Sequence, residues 1–467
     1  MLLLLTLACH PTEGPLGLSW TVDDHAVVTG KRVSVELAST ASVELTCVSR
    51  DDERDEHLVR SPAPSDSVEL NLSGLLASST YDCEIYAEDE AGDWGRGSFR
   101  MATSRLPGDL EEGIVTGDSS AISGVWTVLN PFEDGKLTND QWVTVVDPEG
   151  EIRWYYPIAD ETGSVDASVY DGRLLIGGGY DTTAGPVLLE QDHTVVYTQP
   201  FPSTGGEYHH DVEMTPSGLI GGLITKQGDG YLGFGVEVAD PAQDGELVWT
   251  WDSDTAVAAG TLPLGSGDAY HANALELIED DSGQLVGAYA NLRNLDRFVY
   301  IDRASGEITW QLNQFSWELE GGGGWWHLAH DVHFDGPLGA PDRVLLYDNG
   351  VRKPGEQSHA REIELDHETS TARYSWTWTR DDWQEQAWGG TDWLGDDRVL
   401  VAIGHCNTCD DSDPDSRTAV LEVDQLSDEV IWSYAFDEES VGLYRAERVG
   451  GCGLFSSLRW CPELAQE

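Results

Sequence analysis

Positive charge is scarce in this chain. Its 467 residues hold 26 Lys+Arg, only four of them Lys, against 84 Asp+Glu, for a formal net charge of −58. Such an acidic polymer repels phosphate backbones, which excludes a sequence-independent nucleic-acid binder. The preference for Arg over Lys fits a secreted or salt-tolerant protein. Long apolar runs are missing too. None reaches the ~20 residues of a membrane span, so no bilayer crossing is predicted. Between the strand-like segments there is no amphipathic helix of about 10–15 residues, which argues against an α/β fold. What is present is a 40% apolar share with 18 Trp and 51 Gly, enough for a core and against disorder.

Residues 1–9, MLLLLTLAC, resemble the end of a lipoprotein signal, with Cys9 as the lipidated residue. No basic residue precedes the leucines, and Thr6 stands where Leu is usual. An ordinary secretion signal with an incidental Cys is the alternative. Both predict export to the periplasm or cell surface, with membrane association only through the lipid. Six cysteines remain, an even number suited to an oxidising compartment. Proximity in sequence suggests Cys47–Cys83, Cys406–Cys409 and Cys452–Cys461. The Cys406/Cys409 spacing lacks both a βαβ context and a second Cys pair, so it reads as a loop staple rather than a redox or zinc motif.

Residues 10–105 carry short alternating strands such as Val33-Ser-Val-Glu-Leu37 and Tyr81-Asp-Cys-Glu-Ile-Tyr86. Tyr81, two residues before Cys83, sits as a tyrosine corner does, predicting a small immunoglobulin- or fibronectin III-like β-sandwich that serves as spacer or docking module. Residues 106–125 read as a linker. From 126 to 467 the chain repeats. One unit is an apolar strand, an acidic turn and a strand ending in an aromatic, as in Val145-Val-Asp-Pro-Glu-Gly-Glu-Ile-Arg-Trp154, and it occurs six times. A second unit starts near Asp166, His210, His271, His330, Thr391 and Arg445. The central starts are spaced by 61, 59 and 61 residues. Two hairpins per repeat predict an all-β six-bladed propeller, its ring closed by joining residues 141–156 to the strands after Arg445. The terminal Trp residues are expected to pack between blades.

Equivalent positions on successive blades form a ring around the axis. His210, His271 and His330 occupy three such positions and Thr391 the next. A single histidine is most often structural; three in one register argue for a functional mouth. Asn273 shares a strand face with His271. Arg293 precedes the following strand, and Gly321–Gly324 with Trp325 and Trp326 form an aromatic-bearing loop before His330. Asp211 and Asp331 read as orienting or strand-capping groups. Three His with Asp suit a transition metal, but Arg293 would repel one, so no metal is expected. Arg, Asn, Thr and His together offer donors to a tetrahedral oxyanion.

These residues resemble the bacterial arylsulfate sulfotransferases, which work without PAPS. The matching stretches are His209-His-Asp211, Asp268-Ala-Tyr-His-Ala-Asn273, Asn291-Leu-Arg293 leading to Tyr300-Ile-Asp302, His330-Asp331 and Tyr347-Asp-Asn-Gly350. The resemblance implies ping-pong transfer of a sulfuryl group from a phenolic sulfate to a phenol, without a cofactor and through a sulfated histidine. It implies His330 as nucleophile, with His210, His271, Asn273, Arg293 and Thr391 around the sulfate. Whether His209 or His210 faces the site depends on strand register. Trp325 and Trp326 are further candidates for the substrate mouth. The sequence departs from the family at Ala329, where Gln is expected, and at Leu292, where Ser is expected. The rival readings are a non-catalytic surface propeller and a metal-dependent propeller hydrolase or lactonase. A homodimer is left open.

Overall fold

The computed structural model describes residues 12–108, 110, 112–122, 126–133, 141–158, 166–177, 185–200, 202, 206–227, 231–322, 324–350, 357–381, 383–385, 387–404, 418–436, 441–450, 454–461 and 464. Cys9, Cys406, Cys409 and Cys452 lie outside them. Strands dominate; among the described residues the one α-helix is the short Ser253–Ala258.

The first domain is a sandwich made by one long strand. Lys31–Ser49 pairs through its first half with Leu18–Asp24 and Ser65–Leu72, and through its second half with Glu56–Arg60 and Thr80–Glu88. Passing from one sheet to the other, it lets both bury their apolar faces on Val33, Val35, Leu45 and Ile85. Cys47 and Cys83 face each other across that pairing and are disulfide-bonded. Tyr81 forms the expected corner: its hydroxyl accepts from Leu76 N–H at 2.7 Å. Cys461 is also disulfide-bonded.

Six four-stranded antiparallel units follow around an axis. Blade one is Asp166–Tyr170, Arg173–Gly177, Val187–Leu189 and Val195–Thr198. Blade two runs from Tyr208–Met214 to Glu246–Asp252, blade three from Ala272–Glu279 to Ile308–Leu312, blade four from His330–Asp335 to Thr371–Trp378, and blade five from Gly390–Gly395 to Val430–Phe436. Blade six closes the ring with a single C-terminal strand, Val441–Val449, laid against Trp126–Glu133, Gln141–Val146 and Ile152–Ile158. The sequence predicted this joint but expected more than one strand from the C-terminal side.

Two boundaries move. Gly113–Gly117, read as linker, is a fifth strand on the outer edge of blade five, paired with Val430–Phe436. Residues 454–461, assigned to the propeller, instead strap the sandwich. Leu58 N–H donates to Ser456 O at 2.9 Å, and Leu458 N–H to Glu56 O at 2.7 Å. Both corrections have one cause: exposed strand edges recruit whatever backbone lies alongside, and alternation in five residues is too weak a signal to foresee it.

Side chains stitch the blades together. The indole N–H of Trp154 donates to Gln191 O at 2.8 Å, that of Trp251 to Gly306 O at 2.9 Å, and that of Trp432 to Pro148 O at 2.9 Å, each reaching a turn of the next blade. At the axis, carboxylates cap the N–H groups of the next inner strand: Asp211 accepts from Leu275 at 2.7 Å, Glu276 from Phe334 at 3.1 Å and Asp331 from Thr391 at 2.9 Å. These bonds fix the register of the inner strands, and so of the histidines they carry.

Candidate functional site

Each inner strand delivers its first residues to one end of the axial channel. On blade two the ladder breaks between Tyr208 and Val212, and His210 adopts a left-handed φ of 61°. That break abolishes simple alternation, so His209 and His210 are both buried, their Nδ1 atoms 2.8 Å apart. His210 is the one that faces the pocket: its ring lies 4.9 Å from that of His271 and 6.2 Å from that of Tyr444. His209 backs it. His271 also starts from a left-handed φ, 47°, and its Nδ1 is bound to Asp268. With 20% of its side chain exposed, it stands toward the open side of the group.

His330 is 3% exposed, and its Nδ1 lies 2.6 Å from Asn349 Oδ1. The Asn349 amide nitrogen donates to Trp388 O at 3.1 Å, which leaves its oxygen toward the histidine. An amide oxygen only accepts, so Nδ1 carries the hydrogen and Nε2 keeps the lone pair. Burial, then the Arg293 guanidinium, push the His330 pKa well below 6.5, partly offset by the Asn349 bond. His210 is lowered by burial and by its neighbours His209, His271 and His330, while His209 falls to about 4, chiefly through burial. These imidazoles are neutral at pH 7 because no solvent is there to support a charge.

Other expected residues divide. Arg293 is brought near His330, on the turn that follows Leu285–Leu292, with its backbone N–H on His271 O at 3.3 Å. Thr391 is 1% exposed, and its hydroxyl has no hydrogen-bond partner among the described residues. Asn273 is committed elsewhere: its amide nitrogen donates to Ala329 O at 3.1 Å and its oxygen accepts from Asn291 Nδ2 at 2.7 Å. It holds the strand entering His330 from behind. Trp326, expected at the mouth, is a core residue with no exposure, stacked on Phe298 at 4.5 Å; Trp325 leans edge-on against it at 5.0 Å. Apolar surface on blades three and four was closer than the channel, and burial prevailed.

Sequence reasoning gave no role to Asn349, which it placed only within the stretch Tyr347-Asp-Asn-Gly350, and missed Tyr444, 1% exposed with a hydroxyl that also lacks a partner among the described residues, and the contacts of Arg445. Arg445 and Asp166 are register positions of blades six and one in the sequence repeat. Opposite charges at two points of one ring were the signal for a contact across the axis. Further along the inner strands the channel holds a cavity of about 230 Å³ lined by Glu213, Glu276, His333, Asp392 and Glu447. An open groove of about 680 Å³ between the outer strand of blade two and two turns of blade three, at residues 284–286 and 303–304, has neither His nor carboxylate in its lining. Among the described residues, no group of three or more His, Cys, Asp or Glu is placed to hold a metal ion.

Fold and site together define a six-bladed propeller with a cluster of histidines at one end of its axis. No family model matches the chain, and no curated protein is similar to it in sequence. Solved structures with a likeness to it include a Bacteroides caccae protein of unknown function (12% identity, 69% of this chain and 98% of that one, TM-score 0.43). Others are the Pseudomonas aeruginosa periplasmic gluconolactonase (14%, 90% and 98%, TM-score 0.36) and Kuenenia stuttgartiensis hydrazine synthase (12%, 61% and 70%, TM-score 0.36). At such scores they do not bear on the choice among activities.

Proposed function

We propose that the chain is an arylsulfate sulfotransferase-like enzyme that moves a sulfuryl group from a phenolic sulfate to a phenol. The carrying observation is His330: neutral through burial, tied at Nδ1 by Asn349, and therefore offering Nε2 to an electrophile. In the first half-reaction Nε2 attacks sulfur, the S–O(aryl) bond breaks, and the departing phenolate takes a proton from the pocket or from water. In the second, an acceptor phenol gives its proton to a neighbouring histidine, its oxygen forms the new O–S bond, and the N–S bond breaks, returning the lone pair to Nε2. Arg293 and the hydroxyls of Thr391 and Tyr444 supply donors to the sulfuryl oxygens, and His210 and His271 are within the same group to move protons.

Export belongs to the same proposal. The Cys47–Cys83 disulfide suits an oxidising compartment, and Cys9 is the candidate lipid anchor. The test is to incubate the protein with an aryl sulfate alone and look for a +SO₃ adduct by mass spectrometry. The adduct is expected on His330 and absent from His330→Asn. An adduct elsewhere, or a variant that transfers at the wild-type rate, sinks the assignment; saturable binding without adduct makes the propeller a binding module.

A further inference from the structure

The strand that closes the ring also reaches across it. Arg445 Nη1 lies 2.9 Å from Asp211 Oδ2 and 3.7 Å from Asp166 Oδ2, its Nε lies 3.5 Å from Asp331 Oδ1, and its Nη2 donates to Asn273 O at 2.5 Å. One side chain from blade six therefore touches the inner strands of blades one to four. Three of the four contacts fall beside a histidine of the group: Asp211 follows His210, Asn273 lies two residues after His271, and Asp331 follows His330. The ladder of Val441–Val449 breaks between Leu443 and Ala446, and there Asn130 Oδ1 accepts from the N–H groups of both Tyr444 and Arg445 at 3.1 Å. A guanidinium spreads five donors over three nitrogens in a plane and so reaches all four strands; an ammonium has three donors on one nitrogen and cannot span them.

From these contacts the geometry points to Arg445 as the positioning residue of the pocket, a clamp that sets His210, His271 and His330 relative to one another once the C-terminal strand has closed the ring. Its kinetic consequence rests on the sulfuryl-transfer reading; its structural consequence does not. Arg445 also shields the pocket electrostatically. The other charged or titratable groups around the three histidines are Arg293, His209, Asp268, Asp211, Asp331, Asp166 and Tyr444. Without the guanidinium, Asp211 keeps the Leu275 N–H and Asp331 keeps the Thr391 N–H and His333 at 3.6 Å, while the repulsion that Arg445 exerts on protonated His210 and His330 is lost.

Full-length Arg445→Lys and Arg445→Met are compared with the wild type by urea unfolding, by NMR titration of the imidazole C–H signals, and by transfer from an aryl sulfate to phenol. Lys keeps the charge without the fork; Met loses both. Arg445→Lys is expected to unfold cooperatively and to keep the wild-type histidine titrations, with kcat lowered about 10²-fold and KM within about 3-fold. In Arg445→Met, His210 or His330 is expected to begin titrating between about pH 5 and 8, because a guanidinium that lowers both is gone. Wild-type titration curves in Arg445→Met overturn the clamp, as does wild-type kcat in Arg445→Lys. Should the Met variant not fold, the Lys variant decides through kcat. If the wild type itself neither transfers sulfate nor forms the adduct, the sulfuryl-transfer reading falls, and the titration curves alone decide the clamp.

Discussion

The joint between sandwich and propeller rests on Arg153, and replacing it with Met should cost about 3 kcal/mol. Arg153 has no solvent exposure. Its Nη1 lies 2.7 Å from Asp55 Oδ1 of the sandwich, its Nη2 lies 2.7 Å from Asp147 Oδ2 of blade six, and it also donates to Gly74 O at 3.1 Å. Removing one partner of a buried ion pair typically costs about 3–5 kcal/mol, because the other charge is stranded. Here the lower end applies. Asp55 keeps Tyr81 and His57 as partners, and Asp147 keeps the N–H groups of Glu149 and Glu151 at 2.8 and 3.0 Å. Met refills the space of the stem. Urea unfolding measures the loss, and Arg153→Met combined with Asp55→Asn completes a double-mutant cycle in which the pair should couple by more than about 1.5 kcal/mol. Acid unfolding checks the sign. Burial pushes the Asp55 pKa up, but His57 and Arg153 outweigh it and hold the carboxyl well below its ordinary 3.8. Its contribution is therefore present above about pH 3.8 and lost as pH falls below it. Without Arg153 that pKa rises, and acid unfolding should begin at a higher pH. A variant within about 1 kcal/mol of wild type, with an additive cycle, would refute the reasoning.

Three further outcomes are expected. Thr391→Val and Tyr444→Phe each delete a buried hydroxyl without a partner among the described residues, so the ligand-free protein should gain up to about 1 kcal/mol while KM for an aryl sulfate rises; calorimetry and kinetics on one preparation decide, and unchanged KM places those hydroxyls outside the pocket. Because burial holds His330 well below 6.5, the transfer rate should stay nearly level as pH falls from about 7.5 to about 5.5; a wild-type limb with its midpoint near 6.5 would refute the burial argument. The Cys47–Cys83 bridge closes a 36-residue separation, so the paired change to Ala should cost about 4 kcal/mol in urea unfolding; a loss under about 1 kcal/mol would show that the sandwich sheets hold without it.

Much of this protein is local and periodic, and that part is legible in the residues. Strand alternation marks the sandwich, and Tyr81 before Cys83 predicts the corner found on Leu76. The intervals of 61, 59 and 61 residues place His210, His271 and His330 at one level of a ring before any coordinate is known. Contacts across the axis and between domains are not periodic. Arg445 meets Asp166 across 279 residues of chain and Arg153 meets Asp55 across 98, and each pair forms only because ring closure or domain docking removes both partners from water. Which of His209 and His210 faces the pocket was decided by a ladder break, a local shift that no two-residue period contains. Trp326 was decided by competition: its indole could line the mouth or bury itself, and Phe298 was near enough to make burial win. The sequence determined the ring and the level at which its histidines stand; tertiary structure determined which polar groups had to find each other once water was gone.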